Sequence, residues 1–72
     1  AVEALEFHVK ESFEACDVSL KTLALKKELL IASIIRGGKV IYPTGSDCIR
    51  AGDNVIVITM RQRLEDLNDI LL

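Results

Sequence analysis

Two cationic side chains flank a pair of glycines in the segment Arg36-Gly37-Gly38-Lys39. Backbone N–H groups without a neighbouring Cβ, set between cations, are suited to holding a phosphate group. The segment is neither a Walker loop nor a dinucleotide fingerprint, because it joins two apolar runs and no helix pattern follows it. Glycine also supplies the positive φ that a two-residue hairpin turn requires. The spacing therefore favours a structural turn at Gly37 and Gly38 over a phosphate-binding loop.

The side chains that could perform catalysis are few, and they lack partners at a recognisable spacing. His8 is the only histidine, and it falls on the polar face of an alternating segment. Ser33 lies in an apolar run and lacks the Gly-x-Ser-x-Gly elbow that would expose its hydroxyl group. Gly52 and Asp53 precede a Val-Ile-Val run, which is typical of a turn before a strand. We therefore predict no catalytic residue and no enzymatic activity.

The two cysteines do not indicate a scaffold or a metal site. Cys16 and Cys48 are too few for a disulfide framework and, together with His8, offer no closely spaced pair of metal ligands. Their distance cannot be read from the sequence, so a single disulfide stays open. Without a secretory signal, two reduced and partly buried thiols are the expected state. We predict no metal and no cofactor in this domain.

The composition indicates one small domain with a surplus of apolar surface. The chain has 72 residues, of which 50% are hydrophobic and 4% aromatic. A core of this size rarely stabilises a fold by more than ~3–5 kcal/mol unless a metal, disulfides or a partner chain contribute. We therefore expect a homodimer in which the second chain covers the remaining apolar surface.

Charge and hydropathy exclude other classes of protein. The net charge is −2 with both signs interspersed, whereas nucleic-acid binding requires a clustered basic face. No apolar run approaches the ~20 residues that span a bilayer. The first residues are acidic and alternating, unlike a signal peptide. We interpret residues 1–72 as a single domain that is a fragment of a longer chain.

The elements that would position the candidate residues begin with a strand. Period-two alternation predicts a half-exposed first strand over residues 2–10. Ser19 can cap a short helix over 20–25. The apolar run 29–36 predicts a strand that is buried on both faces, and the glycine pair joins it to an antiparallel return over 39–42.

The second half of the chain predicts one more strand and a helix. Pro43 ends the returning strand because it has no N–H group to donate. Residues 54–60 predict another strand buried on both faces. The tail 61–72 changes to a helical period, with an apolar stripe formed by Leu64, Leu67 and Leu71. The predicted fold class is α+β, a small and mostly antiparallel sheet that carries both helices in the order β-α-β-β-β-α and dimerises.

This ordered set of motifs resembles the TrkA-C (RCK-C) family, the C-terminal regulatory domain of TrkA-type potassium-uptake proteins. The family pattern contains a "K-T-L-x-x-L" helix, a strand ending in "I-x-R-x-G", a strand ending in proline, an "x-x-G-D" turn and a closing helix. Two departures, Leu20 where a glycine is usual and the absence of a glycine near Thr59-Met60, affect local loop geometry. The matching residues span the chain: Lys21, Thr22, Leu23, Leu25, Ile34, Arg36, Gly38, Pro43, Gly52, Asp53, Leu64 and Leu67.

The resemblance implies a regulatory role. In the family, this domain follows a Rossmann domain that carries the dinucleotide site, and it forms a homodimer. It relays effector binding to an integral-membrane potassium transporter of the Trk or Ktr type, from the cytoplasmic side at the inner face of the cell membrane. Some members bind cyclic di-AMP in a cleft between two such domains. The resemblance places this cleft at Ile34, Ile35, Arg36 and Pro43, with Arg36 contacting phosphate.

Several alternatives remain open from the sequence. Arg36 could instead be an exposed strand-end arginine that pairs with a carboxylate. The same module could regulate another cation or anion transporter. A biotinyl or lipoyl carrier domain is also small and β-rich, but it needs an exposed lysine at a hairpin tip. Lys39 is the nearest candidate, although its neighbours are wrong for that modification and a closing helix counts against a carrier.

Overall fold

The computed structural model describes residues 2–72, which form four strands and two single turns of 3-10 helix. No helix within this range is long and apolar enough to cross a membrane. The strands are β1 (Glu3–His8), β2 (Leu29–Arg36), β3 (Lys39–Ile41) and β4 (Asn54–Thr59), and the 3-10 turns are Leu20–Thr22 and Leu67–Ile70.

The four strands form one antiparallel sheet in the order β1-β4-β2-β3. The last strand in sequence therefore lies in the middle, between the first and the second. Near the start of β4, for example, Val55 is paired with Phe7 of β1 on one side and with Ile34 of β2 on the other. The predicted small antiparallel sheet is confirmed.

One face of the sheet carries the core, so the burial of β2 and β4 on both faces, which is expected together with a second subunit, is not reached within one chain. Along β4, Val55, Val57 and Thr59 are buried while Ile56 and Ile58 are only half-buried. On β2, Leu30 leaves 60% of its surface exposed. The continuous apolar run signals a two-sided strand only if a second layer covers the other face. Within residues 2–72, no such layer exists.

A β-bulge explains the burial pattern of β2. Its buried residues, Ile31 and Ile34, are three positions apart, which a regular period-two strand would place on opposite faces. The pairing with β4 shifts register between Ile31 and Ser33. The extra residue in the bulge, Ala32, restores both isoleucines to the core side.

The core faces irregular segments. Its fully buried members include Ile49 and Ile70, which lie outside the strands. In the described part of the chain, ten buried hydrophobic residues form the cluster: Val9, Phe13, Ala15, Ile31, Ile34, Ile49, Val55, Val57, Leu67 and Ile70. The layer opposite the sheet is therefore built from loops and two short turns rather than from helices.

The helix predicted over residues 20–25 is wrong in length, because helical structure stops after Thr22. Ser19 does precede the turn, but its side chain makes no capping hydrogen bond. Leu23 is extended, and Leu25 pairs with Leu71 as an isolated bridge. A helix of six residues gains little over the cost of nucleating it, so packing decides the backbone here.

The helix predicted over residues 61–72 is also wrong. Helical structure is limited to the turn Leu67–Ile70, which begins at a capping box formed by Asp66 and Asp69. The chain is extended again at Leu71, and the Leu72 N–H donates to the Ala24 carbonyl oxygen at 2.9 Å. Leu67 and Ile70 thus reach the core from a single turn, while the tail pairs with residues 24–26 like a short strand.

Candidate functional site

The β2–β3 hairpin turns on Gly37 and Gly38, with φ of 56° and 77°. Both values lie in the left-handed region that favours glycine. A Cβ added to either residue would meet no atom within 4 Å. The glycines therefore serve backbone conformation rather than a close approach, and Arg36 pairs with Lys39 across the turn.

The guanidinium of Arg36 is held by Asp53 in a two-pronged ion pair. Its Nε donates to Oδ1 of Asp53 at 2.9 Å, and its Nη2 donates to Oδ2 at 2.8 Å. Nη2 also donates to the Cys48 carbonyl oxygen at 2.9 Å. Of the two alternatives left open for Arg36, the structure displays the pairing with a carboxylate, although Arg36 is half-buried rather than exposed. It also joins two motifs that the sequence separates by sixteen residues.

Asp53 is the buried half of this pair. Its side chain is 2% exposed, against 30% for Arg36. The Arg50 N–H also donates to Asp53 Oδ2, at 2.8 Å, so the carboxylate accepts three hydrogen bonds. A buried charge with this many partners is compensated, whereas the same charge alone would be very costly.

The two charges stabilise each other's ionised forms. Burial by itself would raise the pKa of the Asp53 carboxyl, but the hydrogen bonds from Arg36 and the Arg50 N–H outweigh it and hold that pKa below the usual range. The hydrogen bond to Asp53 raises the pKa of Arg36, and burial opposes this only in part. Both groups are therefore charged at neutral pH.

Asp53 also connects the ion pair to the first strand. Its carbonyl oxygen accepts from the Val9 N–H at 2.8 Å, and the Gly52 N–H donates to the Val9 carbonyl oxygen at 2.9 Å. Gly52 has φ of 92°, a backbone conformation that residues other than glycine rarely adopt. The Gly-Asp turn thus joins the end of β1 to the hairpin.

The four residues placed in a ligand cleft by the resemblance do not share one environment. Ile34 is fully buried in the core, whereas Ile35 lies on the opposite face beside Val40. Arg36 faces Asp53, as described. Pro43 lies on a shallow pocket of about 250 Å³ that does not include Arg36; its lining includes Leu20, Lys21, Leu29 and Gly45.

The uncovered face of the sheet, here called the outer face, is apolar. It carries Leu30 and Val40, which are 60% and 54% exposed, together with the half-buried Ile35, Ile56 and Ile58. A depression of about 350 Å³ on this face is lined almost wholly by apolar side chains: Val2, Glu28, Leu29, Leu30, Ile58 and Met60.

The remaining candidates have structural surroundings. His8 is exposed, and its Nδ1 lies 2.8 Å from the Asn54 side-chain oxygen. Both cysteines are free and half-buried, as expected. Burial, followed by the nearby charge of Asp17, raises the pKa of the Cys16 thiol, which disfavours the reactive thiolate.

The sequence does not reveal the importance of Asp53, because its Gly-Asp context predicts only a turn. Gly-Asp before a strand has the same appearance whether the carboxylate is exposed or buried. The available signal lies in the register. Arg36 ends β2 and Asp53 precedes β4, and these two strands are neighbours in the sheet.

Comparison with known proteins identifies the family of the chain. The TrkA-C domain model matches residues 4–72. The chain is 35% identical over 69 residues to the Trk system potassium uptake protein TrkA homolog of Archaeoglobus fulgidus, a match that covers 96% of this chain and 16% of that protein. It is 31% identical over 68 residues to the K(+)/H(+) antiporter NhaP2 of Shewanella oneidensis, covering 94% and 12%.

A solved structure shares the fold. The chain described as "Structure of RCK domain with cda" superposes with a TM-score of 0.71 at 23% identity, covering 96% of this chain and 97% of that chain. The present chain spans only a small part of the curated relatives, 16% and 12% of their lengths. Because the family model matches almost all of its residues, the chain belongs to the TrkA-C domain family, a family of regulatory domains of potassium-transport proteins.

Proposed function

We propose that this domain is the dimerising, effector-sensing regulatory module of a Trk- or Ktr-type potassium-uptake protein, and that it relays effector binding to the transporter. The observation that carries the proposal is the TrkA-C match over residues 4–72. The match to a potassium uptake protein at 35% identity supports the transport system. The mechanism is a shift in population: an effector that binds one arrangement of two subunits better than another favours that arrangement.

Assembly of the homodimer would use the outer face. Leu30, Val40 and Ile58 expose apolar surface there that nothing within residues 2–72 covers. Burial of such a surface against a second copy is the expected way to stabilise a small domain. The polar residues Glu6 and His8 would border the contact along β1.

Light scattering tests the dimer. At high micromolar concentration the wild-type domain should have twice the 8.0 kDa mass of one chain. Leu30→Lys should be monomeric and folded, since lysine would bury a charge at the interface. Val18→Lys is the matched control, because Val18 is also an exposed apolar residue and lies off the sheet. A monomeric wild-type domain would refute assembly through this module alone.

Effector binding would involve Arg36, whose side chain lies with Asp53 on the core side of β2, at the hairpin end of the strand. Nη1 takes no part in the bonds to Asp53 and Cys48, and it would be the atom that donates to a phosphate oxygen. Ile35 lies on the outer face, on the other side of β2 from the guanidinium, so it would supply apolar surface to a cleft between two subunits. Ile34 is enclosed in the core and Pro43 lies on a separate pocket, so neither would contact the phosphate. The RCK domain whose description includes "with cda" supports ligand binding by this fold.

Calorimetric titration with cyclic di-AMP tests the effector. Saturation is expected at one ligand per two chains, with binding lost in Arg36→Ala and weakened in Ile35→Ala. The second variant keeps the ion pair with Asp53, so it separates ligand contact from folding. Arg50→Ala is the control, because the pair uses only the backbone N–H of Arg50. A folded, dimeric domain that gives no heat would exclude sensing of this nucleotide and leave assembly and relay as the role.

The rest of the parent protein would supply the other functions. We propose a preceding Rossmann domain that binds a dinucleotide, an integral-membrane potassium transporter as partner, and a cytoplasmic location at the inner face of the membrane. Deletion of residues 1–72 from the parent protein should leave potassium flux measurable and insensitive to the effector. If the deletion greatly reduces potassium flux, and the flux that remains still responds to the effector, a regulatory role is contradicted.

A second type of transporter, a potassium/proton antiporter, is also supported as the protein that this domain regulates. The match to a K(+)/H(+) antiporter at 31% identity is almost as extensive as the match to the uptake protein. The two transporters differ in proton coupling, so potassium flux measured in vesicles with and without an imposed pH gradient separates them. The family match gives no support to the carrier alternative at Lys39.

A further inference from the structure

Asp53 is the meeting point of three parts of the chain. Its carboxylate binds the Arg36 guanidinium at the end of β2 and the Arg50 N–H in the preceding turn. Its backbone carbonyl oxygen accepts from Val9, just after β1, at 2.8 Å. The side chain of Asp53 therefore contacts the end of β2, while its backbone contacts the residue that follows β1.

The burial of Asp53 makes this junction stiff. With 2% of its side chain exposed, the carboxylate cannot exchange its protein donors for water without opening the structure. Gly52 also donates to Val9, so two hydrogen bonds tie the end of β1 to the same turn. A displacement of the guanidinium must either break a charge-assisted pair or move Asp53, and with it the acceptor of the Val9 N–H.

We infer that Asp53 is a positioning residue that orients Arg36 and links its guanidinium to the backbone at Val9. An anionic ligand that accepts a hydrogen bond from Nη1 of Arg36 would thereby change the hydrogen bonding of Val9 at the end of β1. The mechanical link stands on the contacts alone, while its regulatory meaning rests on the proposed function.

A positioning role of Asp53 and simple electrostatics predict opposite changes in anion affinity when the carboxylate is removed. Asp53→Asn removes a negative charge beside Arg36, and Coulomb attraction alone would then tighten the binding of an anion. A positioning role gives the opposite sign, because a neutral amide cannot accept both prongs of the guanidinium and the arginine becomes free to reorient. The direction of the affinity change therefore separates the two roles.

Hydrogen exchange of the ligand-free domain tests the link first. In Arg36→Ala, the Val9 and Gly52 amides should exchange about tenfold faster, the size expected for residues in one network. The Met60 amide donates to the Glu28 carbonyl oxygen at the far end of β4. Its exchange rate should change only as much as the change in global stability requires. Ile31→Val is the control for a general loss of stability, and Arg50→Ala for a lost surface charge. Equal changes at Val9, Gly52 and Met60 would overturn the link.

Titration with cyclic di-AMP tests the regulatory meaning. Saturation of the wild-type domain should slow exchange at Val9 and Gly52, and Asp53→Asn should bind several-fold more weakly. Equal or tighter binding by Asp53→Asn would overturn the positioning role. If the wild-type domain binds no ligand, the proposed sensing fails, and the exchange data on the free domain still decide the link. If Asp53→Asn does not fold, the ligand-induced change at Val9 and Gly52 in the wild-type domain decides instead: slower exchange at both amides supports the link to Arg36, and unchanged exchange on saturation overturns it.

Discussion

A buried carboxylate that accepts three hydrogen bonds sets the chemistry of this domain at the scale of residues. Asp53 is compensated by Arg36 and by the Arg50 N–H, so its charge is stable only while the fold is intact. The glycines on either side of the pair, Gly38 and Gly52, give the backbone the turns that bring the two charges together.

Asp53→Asn should lower the free energy of unfolding by about 2–4 kcal/mol at pH 7, because it leaves the guanidinium without its counter-charge. Urea denaturation followed by circular dichroism measures the loss. Arg50→Ala serves as the neutral control, since its side chain is more than half exposed and forms only a 4.0 Å contact with Asp17. An equal loss in both variants would contradict this account.

Stability should also depend on pH through Asp53. The folded pKa lies below the ordinary value of about 3.9, so protons bind the unfolded state more readily. The stabilisation is therefore complete above roughly pH 5 and is lost as the pH falls through the folded pKa. Unfolding measured from pH 6 to 3 should show a shallower decline in Asp53→Asn. Asp69, whose pKa is lowered by the N–H groups of Glu65 and Asp66, contributes in the same direction, and Asp69→Asn corrects for it.

Glu28 is a non-glycine residue in the left-handed region, with φ of 62°. Glu28→Gly should stabilise the domain by about 0.5–1 kcal/mol, because it relieves this conformation at the cost of some chain entropy. The lost contact with Arg61 is long and exposed, so it matters little. Glu65→Gly, an exposed position outside that region, should destabilise under the same thermal melts. The opposite order would show that the backbone at Glu28 is not strained.

The elements divide into those that local pattern determines and those that packing determines. Period two located the first strand, and the glycine pair located the hairpin, because both signals lie within a few residues. The tail 61–72 has a helical stripe, yet Leu67 and Ile70 reach the core from a single turn and Leu71 pairs with Leu25. That choice depends on a partner segment far away in sequence, as does the ion pair between Arg36 and Asp53. Neither could be predicted from spacing.

The C-terminal segment closes the core through Ile70, and this can be tested by substitution. Ile70 is fully buried, whereas Leu72 is 86% exposed. Ile70→Ala should cost about 2–5 kcal/mol, enough to unfold much of so small a domain, and Leu72→Ala should change stability by less than about 0.5 kcal/mol. Chemical denaturation of both variants checks this. Similar effects at the two positions would mean that the tail does not close the core as described.

For the whole molecule, stability should depend on protein concentration. A dimer that forms through the outer face is favoured by mass action, so its melting temperature rises as the domain is concentrated. Scanning calorimetry over about a hundredfold range of concentration should show a rise of several degrees. Leu30→Lys should melt at one temperature throughout the range. A concentration-independent wild-type melting temperature would agree with a monomer and contradict the proposal.

The position of β4 in the middle of the sheet has a consequence for how the domain comes into being. The β2–β3 hairpin is local and can form as soon as residue 41 is available. Within residues 2–72, the first strand pairs only with β4, whose residues come some fifty positions later, so it must wait for almost the whole domain. Closing such a long loop before any contact rewards it is slow. On the ribosome, β1 would therefore emerge with an unpaired edge, and the sheet would be completed only when β4 inserts between its two neighbours.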